Sequence, residues 1–444
     1  MPTPLYDVLK EYASSSPGRW HMPGHKGNCL TAPELMGVAP LDVTELPSTG
    51  NLYTAGPPFE EAQRLWAEEF GFEYCQFLTG GSTMGIHTGL SLCARPGSRI
   101  LLDRNCHRAA FHALALLDLE PVYLERPWLR EDSLIGPVSP EDVENSLERH
   151  PDIKTVCITS PTYAGVLSNI WAISRIVHAR GGKLFVDGAH GAHLPFLGLD
   201  PFSGADAVVA SAHKTLPALG QAALLFTRGM EPEQVRRMAS VYGTSSPSYP
   251  IMASMDLARD YMTGEEGFHA YRRAALQVAE LRRRFPSLEP RPGLSLDPAR
   301  LVLRVQDGPA FARALEERGI FPEMEDGGHV VLICTAQDTE ENFCRLTESL
   351  EKLRPRMGPC PPLPPPPLPQ REISLRAALF APSRARVLEN CEGEIAAGQI
   401  APYPPGVPVV APGERIGKKE LAYLQKIGYN MLSEVRVTEG GVQS

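Results

Sequence analysis

The sequence predicts an α/β fold built on a mostly parallel, seven-stranded sheet with helices over both faces. Three observations predict it. Short runs rich in strand-forming residues alternate with helical patterns as far as residue 226. These runs are apolar almost throughout, as strands buried on both faces are. All but Pro121–Leu124 have glycine or a small polar residue on at least one side, the punctuation that ends strands. Taken in order, the strands are expected at Tyr74–Leu78, Arg99–Asp103, Pro121–Leu124, Thr155–Thr159, Lys183–Asp187, Ala207–Ala210 and Ala222–Phe226. Between them, apolar residues at helical spacing predict helices over Thr83–Cys93, His107–Leu117, Pro140–Arg149 and Ile170–Arg180. A linking helix over Phe268–Phe285 then leads to a small α+β unit: strand Leu301–Val305, helix Pro309–Arg318, strand Val330–Cys334 and helix Glu340–Leu353. Nine prolines fall within Pro355–Pro369, a stretch that can form neither helix nor central strand and reads as an extended spacer. The expected division is a major domain over 1–270, the small α+β domain over 271–354, the proline-rich linker over 355–370 and a C-terminal domain over 371–444.

Composition narrows the function. A net charge of −9 over 444 residues argues against a nucleic-acid or anionic-membrane surface. No run approaches the eighteen apolar residues of a membrane span. Met1–Lys10 shows no basic region followed by an apolar run, so no secretory signal is expected. Nine scattered cysteines without CxxC pairs read as reduced thiols of a cytoplasmic protein. His21 and His25 have a zinc-like spacing, but Pro23 and Gly24 forbid the helix that would put both on one face, and no metal is expected.

In an open parallel sheet, ligands bind outside the carboxyl ends of the strands. The residues after those ends are Thr79-Gly80-Gly81-Ser82-Thr83, then Asn105 and His107, then Ser160-Pro161-Thr162-Tyr163, then Gly188-Ala189-His190 after Asp187, and Ser211-Ala212-His213-Lys214. The glycine turn can be an ordinary tight turn with Ser82 as a helix cap, or a cup of backbone N–H groups for phosphate. No Gly-Lys-Ser/Thr follows it, so it is not a nucleotide P-loop. Lys214 and Asp187 taken singly read as a surface lysine and a loop carboxylate. Together the set matches the needs of pyridoxal 5'-phosphate: a lysine for an imine, a carboxylate to keep the ring nitrogen protonated, a phosphate cup and a flat group against the ring.

Seven segments carry a resemblance to a known family: His21-Met-Pro-Gly-His-Lys-Gly27, Asp103-Arg-Asn-Cys-His-Arg108, Val186-Asp-Gly-Ala-His-Gly-Ala-His193, Ser211-Ala-His-Lys214, Thr244-Ser-Ser-Pro-Ser-Tyr249, Pro402-Tyr-Pro-Pro-Gly-Val-Pro408 and Pro412-Gly-Glu414. In these the chain resembles the Orn/Lys/Arg decarboxylases, a family of the aspartate-aminotransferase-like pyridoxal phosphate fold (fold type I). The resemblance implies that Lys214 forms the imine, Asp187 pairs with the ring nitrogen, His107 stacks on the ring and Ala189 packs on its other face. It implies phosphate contacts from Gly81, Ser82, Thr83 and Ser211. His213 is expected at the phosphate and as a proton donor, and Thr162 and His190 complete the cofactor contacts. Ser245 and Ser246 are expected to reach the phosphate of a neighbouring subunit in an obligatory homodimer. No receiver-like wing precedes the first motif, which implies a short form of the family. His190 stands where the large members carry tryptophan, and Gly398 where a polar residue is expected near the substrate mouth.

The implied activity is decarboxylation of arginine, lysine or ornithine, with arginine the first choice and Glu392 and Glu394 as candidate partners for its cationic side chain. Two alternatives stay open: another pyridoxal phosphate reaction on the same fold, such as transamination or a different lyase step, and a non-catalytic regulatory homologue. The joint presence of Lys214, Asp187, His107 and Ser211 speaks against the last.

Overall fold

Five of the seven expected strands form over the anticipated residues, because each is an apolar run closed by a turn residue that cannot continue it. In a computed structural model that describes residues 2–15, 18–23, 25–27, 37–359, 361–402 and 406–439, the strands are β1 (Tyr74–Leu78), β2 (Arg99–Asp103), β3 (Glu120–Leu124), β4 (Thr155–Thr159), β5 (Lys183–Asp187), β6 (Ala207–Ala210) and β7 (Ala223–Thr227). They make one sheet in the order β1-β7-β6-β5-β4-β2-β3. β7 is the exception to its parallel sense: it runs antiparallel to β1 (Leu78 opposite Ala223) and to β6 (Leu224 opposite Ala210). β6 with β5, and β2 with both β3 and β4, pair in parallel. Gly24, Tyr403, Pro404 and Pro405, parts of two of the sequence motifs, lie outside the described residues.

The chain divides into two compact units, cut differently from the four expected segments: residues 1–93, 185–273 and 335–337, and residues 94–184, 274–334 and 338–444. In the first unit, the helix Gly81–Cys93 lies so close to the sheet that a Cβ on Gly85 would come within 2.3 Å of Val209, and one on Gly89 within 2.2 Å of Phe185. Four helices that the sequence reading did not anticipate also belong to this unit: Phe59–Phe70, Pro232–Tyr242, Tyr249–Thr263 and the N-terminal Pro4–Ser14. The last is held by Asp256, buried in Tyr249–Thr263, whose carboxylate accepts from the N–H groups of Leu5 (3.0 Å) and Tyr6 (3.3 Å). A negative group at a helix start satisfies orphan donors and opposes the helix dipole.

In the second unit, the strands Arg300–Arg304 and His329–Ile333 pair antiparallel and share an apolar core with the helices Gly308–Glu316 and Glu340–Leu353. The tail has its own core, centred on Leu388, Ile400, Val410, Leu424 and Val437. The proline-rich stretch between them is not a free spacer. Trp128 Nε1–H donates to the Leu363 carbonyl (3.1 Å), and Leu363 N–H donates to Ser133 Oγ (3.0 Å), so it is laid along the hairpin formed by Trp128–Leu129 and Leu134–Ile135.

Candidate active site

In the first unit the carboxyl ends of β5 and β6, paired in parallel, bring together Asp187, Ala189, His190, Ser211, His213 and Lys214. Asp187 closes β5 with its side chain buried, and its Oδ1 accepts from Ala189 N–H (3.2 Å), which turns the chain back over the strand end. Lys214 sits in the single helical turn Ala212–Thr215 that follows β6, and its Nζ lies 3.1 Å from His190 Nε2. An ammonium has only protons to give, so in that form of Lys214 the ring nitrogen facing it is the acceptor. His213 donates its Nδ1–H to the Ala222 carbonyl (2.8 Å), which leaves Nε2 as its basic atom. Burial holds the His213 pKa below the ordinary histidine value; the Ala222 bond works against that shift and the charge of Lys214 adds to it. The Ser211 hydroxyl is fully buried and has no hydrogen-bond partner, and Thr79 Oγ1, at the end of β1, is buried in the same condition.

The glycine turn departs from its reading in two ways. The helix begins at Gly81, with φ of +66°, so Ser82 lies inside its first turn and is not its cap. Gly81 N–H is also not a free donor, since it is given to the Gln221 carbonyl (2.9 Å). The first-turn amides of Ser82 and Thr83 are the donors that a helix start leaves without intrahelical acceptors. Ser245 and Ser246 are exposed, between the helices Pro232–Tyr242 and Tyr249–Thr263, and Ser246 N–H is held by Thr244 Oγ1 (3.2 Å). Sequence reasoning passed over Tyr271, whose hydroxyl donates to the carbonyl of Thr215, the residue after Lys214 (2.8 Å). A lone tyrosine on a helical pattern carries no signal that separates this role from ordinary packing.

His107 and Thr162 belong to the second unit. His107 caps the helix Arg108–Leu117, its Nδ1 accepting from Ala109 N–H (3.2 Å), so Nδ1 carries the lone pair and the ring plane is fixed. The segment leading to it starts at Asp103, whose buried carboxylate is gripped by Arg126 (2.6 Å) and accepts from the N–H groups of Asn105 (2.9 Å) and Thr159 (3.0 Å). Thr162 is buried, with its hydroxyl accepting from Val166 N–H (3.1 Å) in a tight turn. Glu392 and Glu394 do not stand ready for a cation. Arg384 (2.9 Å) and Arg386, on the strand Ser383–Val387, both hold Glu394, and Lys418, at the start of the helix Lys418–Lys426, lies 3.7 Å from Glu392.

A family profile described as "Orn/Lys/Arg decarboxylase, major domain" matches residues 3–301, and "Orn/Lys/Arg decarboxylase, C-terminal domain" matches residues 382–430. An uncharacterized Bacillus subtilis (strain 168) protein, YaaO, is 31% identical, the alignment covering 96% of this chain and 94% of that one. An arginine decarboxylase of the same organism is 27% identical over 96% of this chain and 93% of its own. Among solved structures, the Francisella novicida lysine decarboxylase LdcF superposes with a TM-score of 0.83 at 20% identity, covering 98% of this chain and 81% of that one. That likeness shows the fold.

Proposed function

The chain belongs to the Orn/Lys/Arg decarboxylase family, and from that premise we propose that Lys214, Asp187, His107, Ser211 and His213 hold pyridoxal 5'-phosphate for the decarboxylation of arginine. At the level of the family, the activity is pyridoxal-phosphate-dependent removal of the carboxyl group of a basic amino acid, on fold type I. The observation that carries the site reading is the convergence at the ends of β5 and β6. There a lysine amine lies against a histidine, a carboxylate is buried, and a serine hydroxyl is buried without a partner. An orphaned hydroxyl in a protein interior costs about 1–3 kcal/mol, and a bound phosphate oxygen would satisfy this one.

Bound pyridoxal phosphate supplies the electron sink for the pair released when the bond from Cα to the carboxylate breaks. The residues do the rest. Lys214 would provide the amine that anchors the cofactor, with His190 Nε2 holding that amine in place through their hydrogen bond. Asp187 holds the proton on the ring nitrogen. Its burial strengthens that charge interaction beyond what water would allow. Ser211, with the amides of Ser82 and Thr83, receives the phosphate, and Gly81 shapes the turn rather than donating. By the family likeness, His107, its ring plane fixed by the bond from Ala109, would supply the flat group for the cofactor ring, and Ala189 and Thr162 would be further contacts. His213 stays neutral near pH 7, and its Nε2 would take up a proton from solvent and deliver it to the Cα that the carboxyl group has left.

Arginine is preferred because the Bacillus subtilis relative that aligns over nearly the whole chain bears that activity in its name. The protein works as a homodimer in which the exposed Ser245 and Ser246 serve the partner's phosphate, and it acts in the cytoplasm. No helix among the described residues is long and apolar enough to cross a membrane. The test is release of CO2 from arginine, lysine and ornithine by the purified protein, with glutamate and an aromatic amino acid as controls. Borohydride reduction then locates the pyridoxyl group by mass spectrometry. Arginine reacting fastest and the group on Lys214 support the reading. A faster control amino acid overturns the substrate class, and a pyridoxyl group on another lysine overturns the site.

A further inference from the structure

The helical turn that carries Lys214 is four residues long, Ala212–Thr215. Its own α-type closure is the bond from Leu216 N–H to the Ala212 carbonyl (2.8 Å). One such bond does not fix the orientation of a turn, since helix formation gains only after its first turn is complete. Its placement comes from outside. At its start, Ser211 N–H donates to the Ala189 carbonyl (3.3 Å), and His213 gives the Ala222 carbonyl both its backbone N–H (3.2 Å) and its Nδ1–H (2.8 Å). At its end, the Thr215 carbonyl accepts from the Tyr271 hydroxyl (2.8 Å). Thr215 Oγ1 is buried without a partner, so no side-chain bond of Thr215 shares the task. Tyr271 is fully buried, and its ring lies flat on the imidazole of His193, with centroids 4.9 Å apart and planes 16° apart. His193 closes the Asp187–His193 motif. The same motif supplies His190, whose Nε2 lies against the Lys214 amine.

We propose that Tyr271, backed by the stacked ring of His193, is a positioning residue that sets where the Lys214 amine stands. This inference rests on Lys214 being the cofactor lysine. The phenol and the carbonyl are both removed from water, so each needs the other, and their bond pins the chain one residue beyond Lys214. The motif Asp187–His193 then holds the lysine from two directions: His190 at the tip of the side chain, and His193, through Tyr271, at its backbone root. A reacting group displaced by about 1 Å can lose on the order of a hundredfold in rate.

The test compares the full-length protein with its Tyr271→Phe variant, which removes the hydroxyl and keeps the ring. Each is stripped of pyridoxal phosphate and reloaded, and the rate at which Lys214 captures it is followed by visible absorbance and by the borohydride adduct. In the variant, capture and kcat fall together by about ten- to a hundredfold, while KM for the amino acid changes by less than about twofold. Wild-type capture and kcat in Tyr271→Phe, with only a lowered Tm, overturn the proposal and leave Tyr271 a packing residue. Should Tyr271→Phe not fold, His193→Ala decides. Slowed capture at unchanged KM supports the proposal, and wild-type capture overturns it. The reading of the cofactor site fails separately, if the wild-type protein itself places no pyridoxyl group on Lys214.

Discussion

Arg126→Met should be among the most damaging single substitutions in the second unit, although Arg126 is outside the proposed cofactor contacts. The side chains of Arg126 and Asp103 are 1% and 0% exposed. The guanidinium donates to both carboxylate oxygens through Nε (3.0 and 3.1 Å), to Oδ2 through Nη2 (2.6 Å), to the Gly136 carbonyl (3.1 Å) and to the Thr159 carbonyl. Methionine fills much of the volume but leaves a buried carboxylate with only the Asn105 and Thr159 amides. Breaking a buried pair from one side costs about 3–5 kcal/mol. The double variant Asp103→Asn/Arg126→Met removes the stranded charge and should recover a large part of that loss, giving a strongly non-additive cycle. Urea unfolding at low and high salt measures both quantities, and salt should change the result little because the pair is screened from solvent. A cost below about 1 kcal/mol, the ordinary worth of a solvent-exposed ion pair, would refute the reasoning.

Asp187→Asn should keep the cofactor yet lose about a hundred- to a thousandfold in kcat, since the amide cannot hold the ring nitrogen protonated; turnover near wild type removes Asp187 from the mechanism. Burial raises the Asp256 carboxyl to about 6 from an unfolded value of 3.8, against the opposing pull of the Leu5 and Tyr6 amides and Arg259. The native state therefore keeps a proton that unfolding releases, and stability falls as pH rises through that window. Asp256→Asn should abolish this slope; an unchanged slope in urea titrations between pH 4 and 7 contradicts the assignment. Mixing inactive Lys214→Ala chains with inactive chains altered at Ser245 and Ser246 should restore activity in hybrids, and an active monomer in sedimentation at assay concentration would exclude shared sites.

The strands and the chemistry at their ends were legible because both are local. An apolar run closed by a turn residue fixes β1, β2, β4, β5 and β6 without reference to the rest of the chain. A carboxylate or lysine just past such a run stands at the rim wherever the strand pairs. Direction is not local: the apolar run of β7 reads the same whether it pairs parallel or, as it does, antiparallel. Partners distant in sequence are hidden for the same reason. Gly81 N–H is spent on Gln221, a loop residue far along the chain. Glu394 could be recognised as neutralised only once Ser383–Val387 was known to be a strand that brings Arg384 and Arg386 alongside it. Tyr271 looks apolar in a helical pattern, and its hydroxyl acquires meaning only beside the Thr215 carbonyl.

Two motifs about three hundred residues apart are one structure. Arg104 donates to the carbonyls of Pro408 (2.6 Å) and Val409 (3.1 Å) and pairs with Glu414 (3.1 Å), while its guanidinium lies over Phe111 and Tyr123. Arg108 N–H donates to the Gly406 carbonyl (3.1 Å), and Gln399 Nε2–H to the Arg108 carbonyl (3.1 Å). His107 is thereby flanked on both sides by residues anchored in the tail. The residue types explain one another. A proline-rich segment makes few internal backbone bonds and keeps its carbonyls available, and an arginine has five donors and no acceptor with which to use them. Glu414 is fully buried, and burial raises its carboxyl; Arg104 and the Ala411 amide are the groups that favour its charged form. The tail thus completes the loop that presents His107, which gives a physical reason for both motifs to occur in one chain.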